Sequence, residues 1–409
     1  MPDSTGPLTG LKVLDLSIIV AGGTASSLLA DFGAEVVKVE RPGSGDPLRN
    51  WGPFYNGVSL WWKTHSRNKL SITLDLSRPE GQQIAKTLVQ QADLLIEGFR
   101  PGTMEGWGLG PEDLHQENPG LVILRYSGFG QSGPYKDRPG FGTIAECMSG
   151  YIGMTGFPES PPVLPPIPLA DEIAGVFGAM AGMMALYHRD ASPGEQSNPV
   201  TGRKGQVIDL SLFEPLFRLC IPHITMYDLL GTVRERVGND FPDAAPRSLY
   251  HTKDKKWLGL SATSQNTWER LARSMGLQEL LADPRFKDNA SRLENKDDLN
   301  RILQEWLGQR NLTQVMQELV PAGGVVGPVY NISDIVDDPH YQEREDILEI
   351  EDSELGKTPM VGIVPKFGET LGRVDHAGPA LGQHNESVYG SWLGHSQEHG
   401  DDLAKRGII

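Results

Sequence analysis

The sequence predicts an α/β protein with a large domain built on a parallel, Rossmann-like sheet and a smaller α/β domain. The first 130 residues alternate short apolar runs with amphipathic ones. Such strand–helix alternation is typical of a parallel sheet that helices cover on both faces. From about residue 245 the pattern changes to a hairpin followed by helices, which indicates the second domain.

The elements of the large domain can be placed in order along the chain. Strands are predicted at 11–17, 34–40, 70–76, 92–99 and 121–127, and helices at 22–33, 79–91 and about 111–117. Pro79 suits the first turn of a helix, and Gly33 suits the end of one. A long helix is predicted at 171–188, and after a polar linker at 189–206 come a strand and a second long helix.

The smaller domain is predicted from a hairpin and the helices that follow it. The hairpin covers 248–263 with its turn at 253–256, helices follow at 265–276 and 296–308, and strand signals occupy 323–330. We therefore predict a large domain at 1–225, which includes the linker, and a small domain at 226–330. Residues 331–409 are predicted to form a linker and a return to the large domain.

Charge and cysteine content restrict the partners and the location. The net charge is −16 and the pI about 5.1, which argues against nucleic acid or an anionic membrane as partner. Only Cys147 and Cys220 are present, which fits a reducing compartment. The apolar run 173–187 is shorter than the roughly 20 residues of a membrane span, so we predict a buried core helix in a soluble, cytoplasmic protein.

The sequence predicts neither a dinucleotide site nor a metal site. The stretch "GFGQSG" at 128–133 follows a strand like a dinucleotide fingerprint, but Pro134 and Pro139 prevent the helix that such a site requires. A nicotinamide-dependent oxidoreductase is therefore disfavoured. The ten histidines are scattered without metal-like spacing, so we predict no metal site and no permanently bound cofactor.

Cationic residues flank the predicted strands of this acidic chain. Singly, each one fits a solvated surface charge. Together they suit a ligand with several phosphates, because arginine matches phosphate oxygens and the neighbouring glycines allow close approach. The residues concerned are Arg41, Arg49, Arg67, Lys69, Arg100, Lys136 and Arg138.

Two acids, Asp171 and Glu172, open the apolar helix. Acids at this position commonly accept the hydrogen bonds of a helix cap or interact favourably with the positive end of the helix dipole. Taken alone, Asp171 is therefore predicted to be a cap. Glu172 is predicted to point outward without a chemical role. Glu146 could line a ligand pocket or be a structural carboxylate, and Trp51 could wall a pocket or simply pack.

Several segments resemble one protein family, and this resemblance favours a functional role over a structural one for Asp171. They include "LADFGAEVVKVERPGSGDPLR", "RNKLSITLDL", "FRPGTMEGWGLG", "SGFGQSGPYKDRPG", "PLADEIAG" and "PALGQH". In this order, from about residue 10 to 385, the chain resembles the class III coenzyme A transferases. These enzymes form interlocked, ring-like homodimers, and the resemblance implies the same here.

The resemblance also implies roles for individual residues. Asp171 corresponds to the nucleophile, which forms an anhydride and then a thioester with CoA. Arg41 matches a position that contacts the CoA nucleotide, while Ala21, Phe99 and the segment around Arg138 match regions that line the CoA site. Arg100 and Lys136 are added as CoA-binding cations, and Glu146 and Trp51 as candidates for the acyl pocket.

The implied substrates are an acyl-CoA and a carboxylic acid, with succinyl-CoA and a small dicarboxylate as the expected pair. Two alternatives stay open. An α-methylacyl-CoA racemase would need a proton-transferring histidine where this chain has Gly140-Phe141-Gly142, which disfavours it. A non-catalytic acyl-CoA-binding protein is disfavoured by the presence of Asp171. Ile18 and Val20 replace the polar residues of one branch of the family, so the roles of that branch's pocket residues are not assigned to this chain.

Overall fold

The computed structural model of the protein describes residues 6–191 and 204–409. Within them, a large unit takes the residues up to 151, those from 164 to 225 and those from 344 to 409. A small unit takes residues 152–163 and 226–343. Most of the linker predicted at 189–206 lies outside the described residues.

The large unit is built on a six-stranded sheet. The first eight strands are β1 Lys12–Asp15, β2 Glu35–Glu40, β3 Phe54–Tyr55, β4 Val58–Ser59, β5 Lys69–Thr73, β6 Leu94–Glu97, β7 Val122–Ser127 and β8 Val207–Ser211. Strands β3 and β4 form a separate small hairpin. The spatial order of the six-stranded sheet is β5-β2-β1-β6-β7-β8, and every neighbouring pair is parallel. The five strands predicted before residue 130 are all present, which confirms the parallel α/β architecture.

Helices cover both faces of this sheet because consecutive strand residues point to opposite sides. The helices before residue 231 are α1 Ala21–Asp31, α2 Leu60–His65, α3 Pro79–Val89, α4 Thr103–Gly106, α5 Pro111–Glu117, α6 Gly142–Met148, α7 Tyr151–Met154, α8 Leu169–Ala191, α9 Phe213–Leu219 and α10 His223–Leu230. Val13 and Leu94 join an apolar cluster with α1 and α8, whereas Leu14 and Leu95 join a cluster on the other face.

Helix α8 is longer than the sequence predicted. It has 23 residues, and by length and composition it is the one described helix that could cross a bilayer, with 39% of its most apolar window buried. The argument that this segment is too short for a span is therefore wrong. One side of α8 packs on α1 and β7, as predicted for a core helix. The opposite side is apolar and 45–76% exposed, at Val176, Met180, Met184 and Tyr187.

The prediction of a single long helix after β8 is also wrong. The chain forms α9 and α10 instead, and Pro222 lies between them. Proline has no N–H to donate and its ring clashes with the preceding turn, so it interrupts a continuous helix.

The small unit contains the predicted hairpin and helices. Strands β9 Arg247–His251 and β10 Trp257–Ser261 pair antiparallel, and β11 Val326–Pro328 joins β10. This sheet packs against helices through a core that includes Trp268, Leu299 and Leu303. The helices of this unit are α11 Gln265–Ser274, α12 Asn289–Glu294, α13 Lys296–Leu307, α14 Leu312–Leu319, α15 Ile332–Asp337 and α16 Pro339–Glu343.

The C-terminal part of the chain completes the large unit. It forms the hairpin of β12 Ile347–Asp352 and β13 Gly356–Val361, then the helices α17 Asn385–Leu393 and α18 Gln397–Lys405. Polar groups at the start of α17 bond to the outer edge of β5. Ser71 N donates to His384 Nδ1 (3.1 Å), and Thr73 N donates to Asn385 Oδ1 (2.8 Å). These bonds cover the edge of the six-stranded sheet.

Candidate active site

A cavity of about 740 Å³ lies in the large unit at the carboxyl ends of β1, β6 and β7. Ligands of parallel α/β sheets bind at this edge, where the loops after the strands converge. The walls come from the loops at 17–22, 98–103 and 126–143, together with the segment 164–168 that leads into α8. No helix begins between residues 128 and 139, as Pro134 and Pro139 predicted.

The structure brings eight of the nine predicted site residues together. Arg41 is the exception: it is exposed just after β2 and does not line the cavity, so its role stays a prediction. The eight residues that line the cavity are Ala21, Trp51, Phe99, Arg100, Lys136, Arg138, Glu146 and Asp171.

Asp171 lies in the first turn of α8, and its carboxylate rests against the first residue of α6. A Cβ atom placed on Gly142 would lie 1.9 Å from Asp171 Oδ2, so only glycine leaves room for the carboxylate there. Glu146, one turn further along α6, is buried with 3% exposure. Its Oε1 accepts a hydrogen bond from Ala170 N (3.3 Å). Two carboxyl groups therefore share one corner of the cavity.

This environment changes the acidity of Asp171. Burial, followed by the negative charges of Glu146 and Glu172, raises the pKa of Asp171 to about 7. Each of these causes disfavours the ionised form. At neutral pH the group can therefore give up its proton readily, and the resulting carboxylate is more basic than an ordinary aspartate. Such a group can act as a nucleophile or as a proton acceptor.

Glu172 does not point outward, and that prediction is wrong. Its side chain is half-buried and turns toward α1, where Thr24 Oγ1 donates a hydrogen bond to Glu172 Oε2 (2.8 Å). Burial raises the pKa of Glu172. The sequence could not reveal this contact because the two residues lie far apart in the chain.

Three of the predicted cations are exposed at the cavity, namely Arg100, Lys136 and Arg138. The guanidinium of Arg138 lies 3.6 Å from the centre of the Tyr135 ring, and such stacking holds a cationic group in a defined place. The cluster gives an acidic protein a group of solvent-exposed positive charges along the cavity wall.

Three of the remaining four cations bind oxygen atoms of the interior, so their prediction as phosphate ligands is wrong. Arg49 binds Glu40 through two nitrogens (2.7 and 2.8 Å). Arg67 binds Asp31 (2.6 Å). Lys69 is buried and donates to Gly23 O (2.8 Å). Each side chain already has an internal oxygen partner.

The loop after β1 lines the cavity, and sequence reasoning did not identify what holds it. Ile19 has φ of 64°, a left-handed conformation that costs a β-branched residue about 1–3 kcal/mol. Asp46 accepts the Ile19 N–H (3.2 Å), and Lys38 Nζ lies 3.1 Å from Asp46 Oδ2 and also donates to Ser17 O. A buried ion pair thus fixes the loop. The one signal in the sequence was a lysine between the valines of β2.

The glycines of α8 pack against neighbouring elements of the large unit. Gly175 lies against Thr24 of α1, and Gly178 lies against Tyr126 of β7. These glycines allow α8 to pack closely on α1 and the sheet, and they do not line the cavity.

Comparisons with known proteins agree with this architecture. The sequence model of CoA-transferase family III matches residues 8–385. The chain is similar to the succinyl-CoA–D-citramalate CoA-transferase of Chloroflexus aurantiacus, with 42% identity over 97% of this chain and 96% of that protein. It is 38% identical to the beta subunit of succinyl-CoA–L-malate CoA-transferase from the same organism, over 99% of both chains. Among solved structures, a CAIB/BAIF family protein from Brucella suis matches with a TM-score of 0.80 and 30% identity, over 95% of this chain and 99% of that one.

Proposed function

Because the chain belongs to CoA-transferase family III, we propose that it moves coenzyme A from succinyl-CoA to a small dicarboxylic acid through covalent intermediates on Asp171. The observation that carries the proposal is the position of Asp171 in the cavity, with its pKa raised to about 7. We place the activity in the cytoplasm, a reducing compartment that suits two free cysteines.

The proposed chemistry needs no oxidant, reductant or metal. A carboxylate oxygen of Asp171 attacks the thioester carbonyl, the carbon–sulfur bond breaks, and CoA leaves as a thiolate. The product is a mixed anhydride. The thiolate then attacks the aspartyl carbonyl, so that the first acid leaves as a carboxylate and an aspartyl-CoA thioester forms. A second acid repeats these steps in reverse, and Asp171 is regenerated.

The choice of substrates rests on the relatives and on the charges at the cavity. The two relatives described above are named for succinyl-CoA together with D-citramalate or L-malate, and all three acids are dicarboxylic. Arg100, Lys136 and Arg138 line the cavity and are exposed to solvent. Cations there can hold the phosphates of CoA while its thioester reaches Asp171 inside.

Intact-mass spectrometry of the protein mixed with succinyl-CoA tests the proposal. We expect a CoA-sized adduct that hydroxylamine removes, and borohydride reduction should leave a modification that maps to Asp171. Adding malate, citramalate or glutarate in turn should discharge the adduct and identify the acceptor. If the adduct also forms in Asp171→Ala, Asp171 is not the nucleophile. If succinyl-CoA binds and gives no adduct, succinyl-CoA is not the CoA donor.

The rate should rise with pH through the range in which Asp171 loses its proton. With a pKa of about 7, roughly a tenth of the group is ionised at pH 6 and roughly nine tenths at pH 8. Since only the carboxylate attacks, kcat/KM for succinyl-CoA should increase over this range and then level off. Glu146→Gln removes a negative charge that raises the pKa of Asp171, so its profile should move to lower pH. A wild-type profile that is flat between pH 5.5 and 8.5 would contradict this assignment.

Removing the cations at the cavity should weaken CoA binding more than it slows the chemistry. Lys136→Ala and Arg138→Ala are each expected to raise KM for succinyl-CoA about tenfold, the effect of one charge-assisted contact, with kcat nearly unchanged. The KM of the wild type should also rise with ionic strength. Lys287→Ala, at an exposed position of the small unit, is the matched control and should behave as wild type. Equal KM values for the control and the two variants would remove these residues from the CoA site.

We also propose a homodimer, interlocked as the family resemblance implies. In its support, α8 exposes Val176, Met180, Met184 and Tyr187 along one side, and a second copy of the chain would bury this apolar surface. Sedimentation of the purified protein should give the mass of two chains. Met184→Glu should weaken the dimer, and a wild type that sediments as a monomer at micromolar concentration would overturn this part of the proposal.

A further inference from the structure

The hydrogen bond between Thr24 and Glu172 is part of a longer chain of contacts. Thr24 Oγ1 also lies 2.9 Å from Nε2 of His65, the last residue of α2. The contacts therefore run from the residue beside Asp171, across α1, to α2. None of these three side chains takes part in the proposed chemistry.

The direction of the hydrogen bonds follows from the number of protons available. A hydroxyl group has one proton, and Thr24 donates it to Glu172 Oε2. His65 Nε2 must then carry a proton and donate to Thr24. Burial, together with the positive charges of Lys69 and Lys38, lowers the pKa of His65 to about 3, so the ring is neutral and carries a single proton, which this arrangement assigns to Nε2.

The opposite direction is less favourable. A protonated Glu172 would donate to Thr24, and Thr24 would donate to Nε2, which would move the ring proton to Nδ1. That atom is buried and has no hydrogen-bond partner among the described residues. A buried N–H without an acceptor is a costly arrangement. The favoured direction therefore has His65 as the donor and Glu172 as the carboxylate.

Two glycines make the close contacts possible. A Cβ on Gly175 of α8 would lie 2.5 Å from Thr24 Cβ, and one on Gly23 of α1 would lie 2.4 Å from His65 Cε1. Any larger residue would separate the helices at those points. The three helices are thus packed so that the three polar groups meet.

We propose that His65, Thr24 and Glu172 form a positioning relay that keeps Glu172 ionised and turned toward α1, which leaves the neighbouring Asp171 free and reactive. The Asp171 carboxylate lies on α6 against Gly142, away from the relay. The negative charge of Glu172 is one of the causes that raise the pKa of Asp171. A more basic carboxylate is the better nucleophile, so the relay would favour the proposed reaction. The inference rests on the function proposed for Asp171.

Other charged groups face the same residues and have to be kept constant in a test. Glu146 of α6 faces Asp171, and the cavity around Asp171 carries three exposed cations. The groups whose charges act on His65 are Asp15, Lys38, Arg67 and Lys69. None of them is altered in the variants described below.

The test measures the ionisation of Asp171 directly. Infrared spectra of protein labelled with ¹³C-aspartate are recorded from pH 5 to 9, and the Asp171 band is obtained by subtracting the spectra of Asp171→Asn. In Glu172→Gln and in Thr24→Val, the midpoint should move to lower pH than in the wild type. Thr24→Ser keeps the hydroxyl and should titrate as the wild type does.

Kinetics of the same variants provide the second measurement. At pH 8, Thr24→Val should lose about tenfold in kcat, the effect of one hydrogen bond to a charged group, with KM for succinyl-CoA unchanged. Thr24→Ser should restore the rate. Circular dichroism establishes that each variant is folded, and if Thr24→Val does not fold, Glu172→Gln and Thr24→Ser still decide the titration.

Failure of the relay and failure of the proposed function give different results. The relay is overturned if Glu172→Gln leaves the Asp171 midpoint unchanged, or if Thr24→Ser shifts it as Thr24→Val does. Infrared titration requires no turnover. A shifted midpoint without any CoA adduct would therefore retain the relay and overturn the function proposed for Asp171.

Discussion

Asp171→Asn is expected to abolish CoA transfer, with a loss in kcat of at least about a thousandfold, because the amide cannot form the covalent intermediates. The substitution keeps the shape of the side chain beside Gly142. Steady-state transfer from succinyl-CoA to malate, measured by separating the CoA esters, gives the rate. Glu112→Gln is the matched control, since Glu112 also lies in the first turn of a helix but is exposed to solvent. A variant within tenfold of the wild type would exclude Asp171 as the nucleophile.

The same substitution should increase stability in a defined pH range. The folded protein holds the Asp171 proton up to a pKa of about 7, whereas an ordinary aspartate releases it near 3.8. The stability that this group contributes is therefore fully present below about pH 4 and is lost as the pH rises through about 7. Asparagine does not ionise. The Tm of Asp171→Asn minus that of the wild type should grow between pH 4 and 7, and a constant difference would contradict the raised pKa.

Gly142→Ala should have the second-largest effect, through displacement of the nucleophile. The added methyl group would lie 1.9 Å from Asp171 Oδ2, so the carboxylate must move by more than 1 Å. A displacement of this size costs about a hundredfold in rate when the reacting groups are otherwise aligned. We expect that loss in kcat with the fold retained, because the atom that must move is the end of a side chain and not backbone.

Gly153→Ala is the control for this variant. Gly153 lies in α7, and a Cβ there would meet nothing within 4 Å. The Gly153→Ala variant should have wild-type activity. If Gly142→Ala is equally active, the carboxylate of Asp171 does not need the position that the structure gives it.

The sheet could be predicted because its signals are local. Strands β1, β2, β6 and β7 each contain adjacent apolar residues that enter opposite clusters, and a strand with two buried faces shows this as a continuous apolar run. The position of Asp171 at the start of α8 also follows from its neighbours in sequence. The break at Pro222 was missed because the apolar pattern of the surrounding residues continues across it.

The errors concern residues whose partners lie far away in the chain. Arg67 was predicted as a phosphate ligand, but it binds Asp31, which lies 36 residues earlier. Glu172 was predicted to point outward, but its donor, Thr24, lies 148 residues earlier. Whether a charged residue faces solvent, ligand or interior depends on packing between helices and strands, and one sequence contains no local signal for that packing.

The hydrogen bonds between the C-terminal segment and β5 determine when the large unit can be completed during synthesis. The edge that Ser71 and Thr73 present is covered by His384 and Asn385, more than 300 residues later. Domains generally fold from the N-terminus as the ribosome releases them. Here, however, the small unit leaves the ribosome whole while the sheet of the large unit still has an open edge. Nascent chains that stop before residue 384 would carry an unprotected strand able to pair with other chains, and these are the species for which a chaperone would be needed.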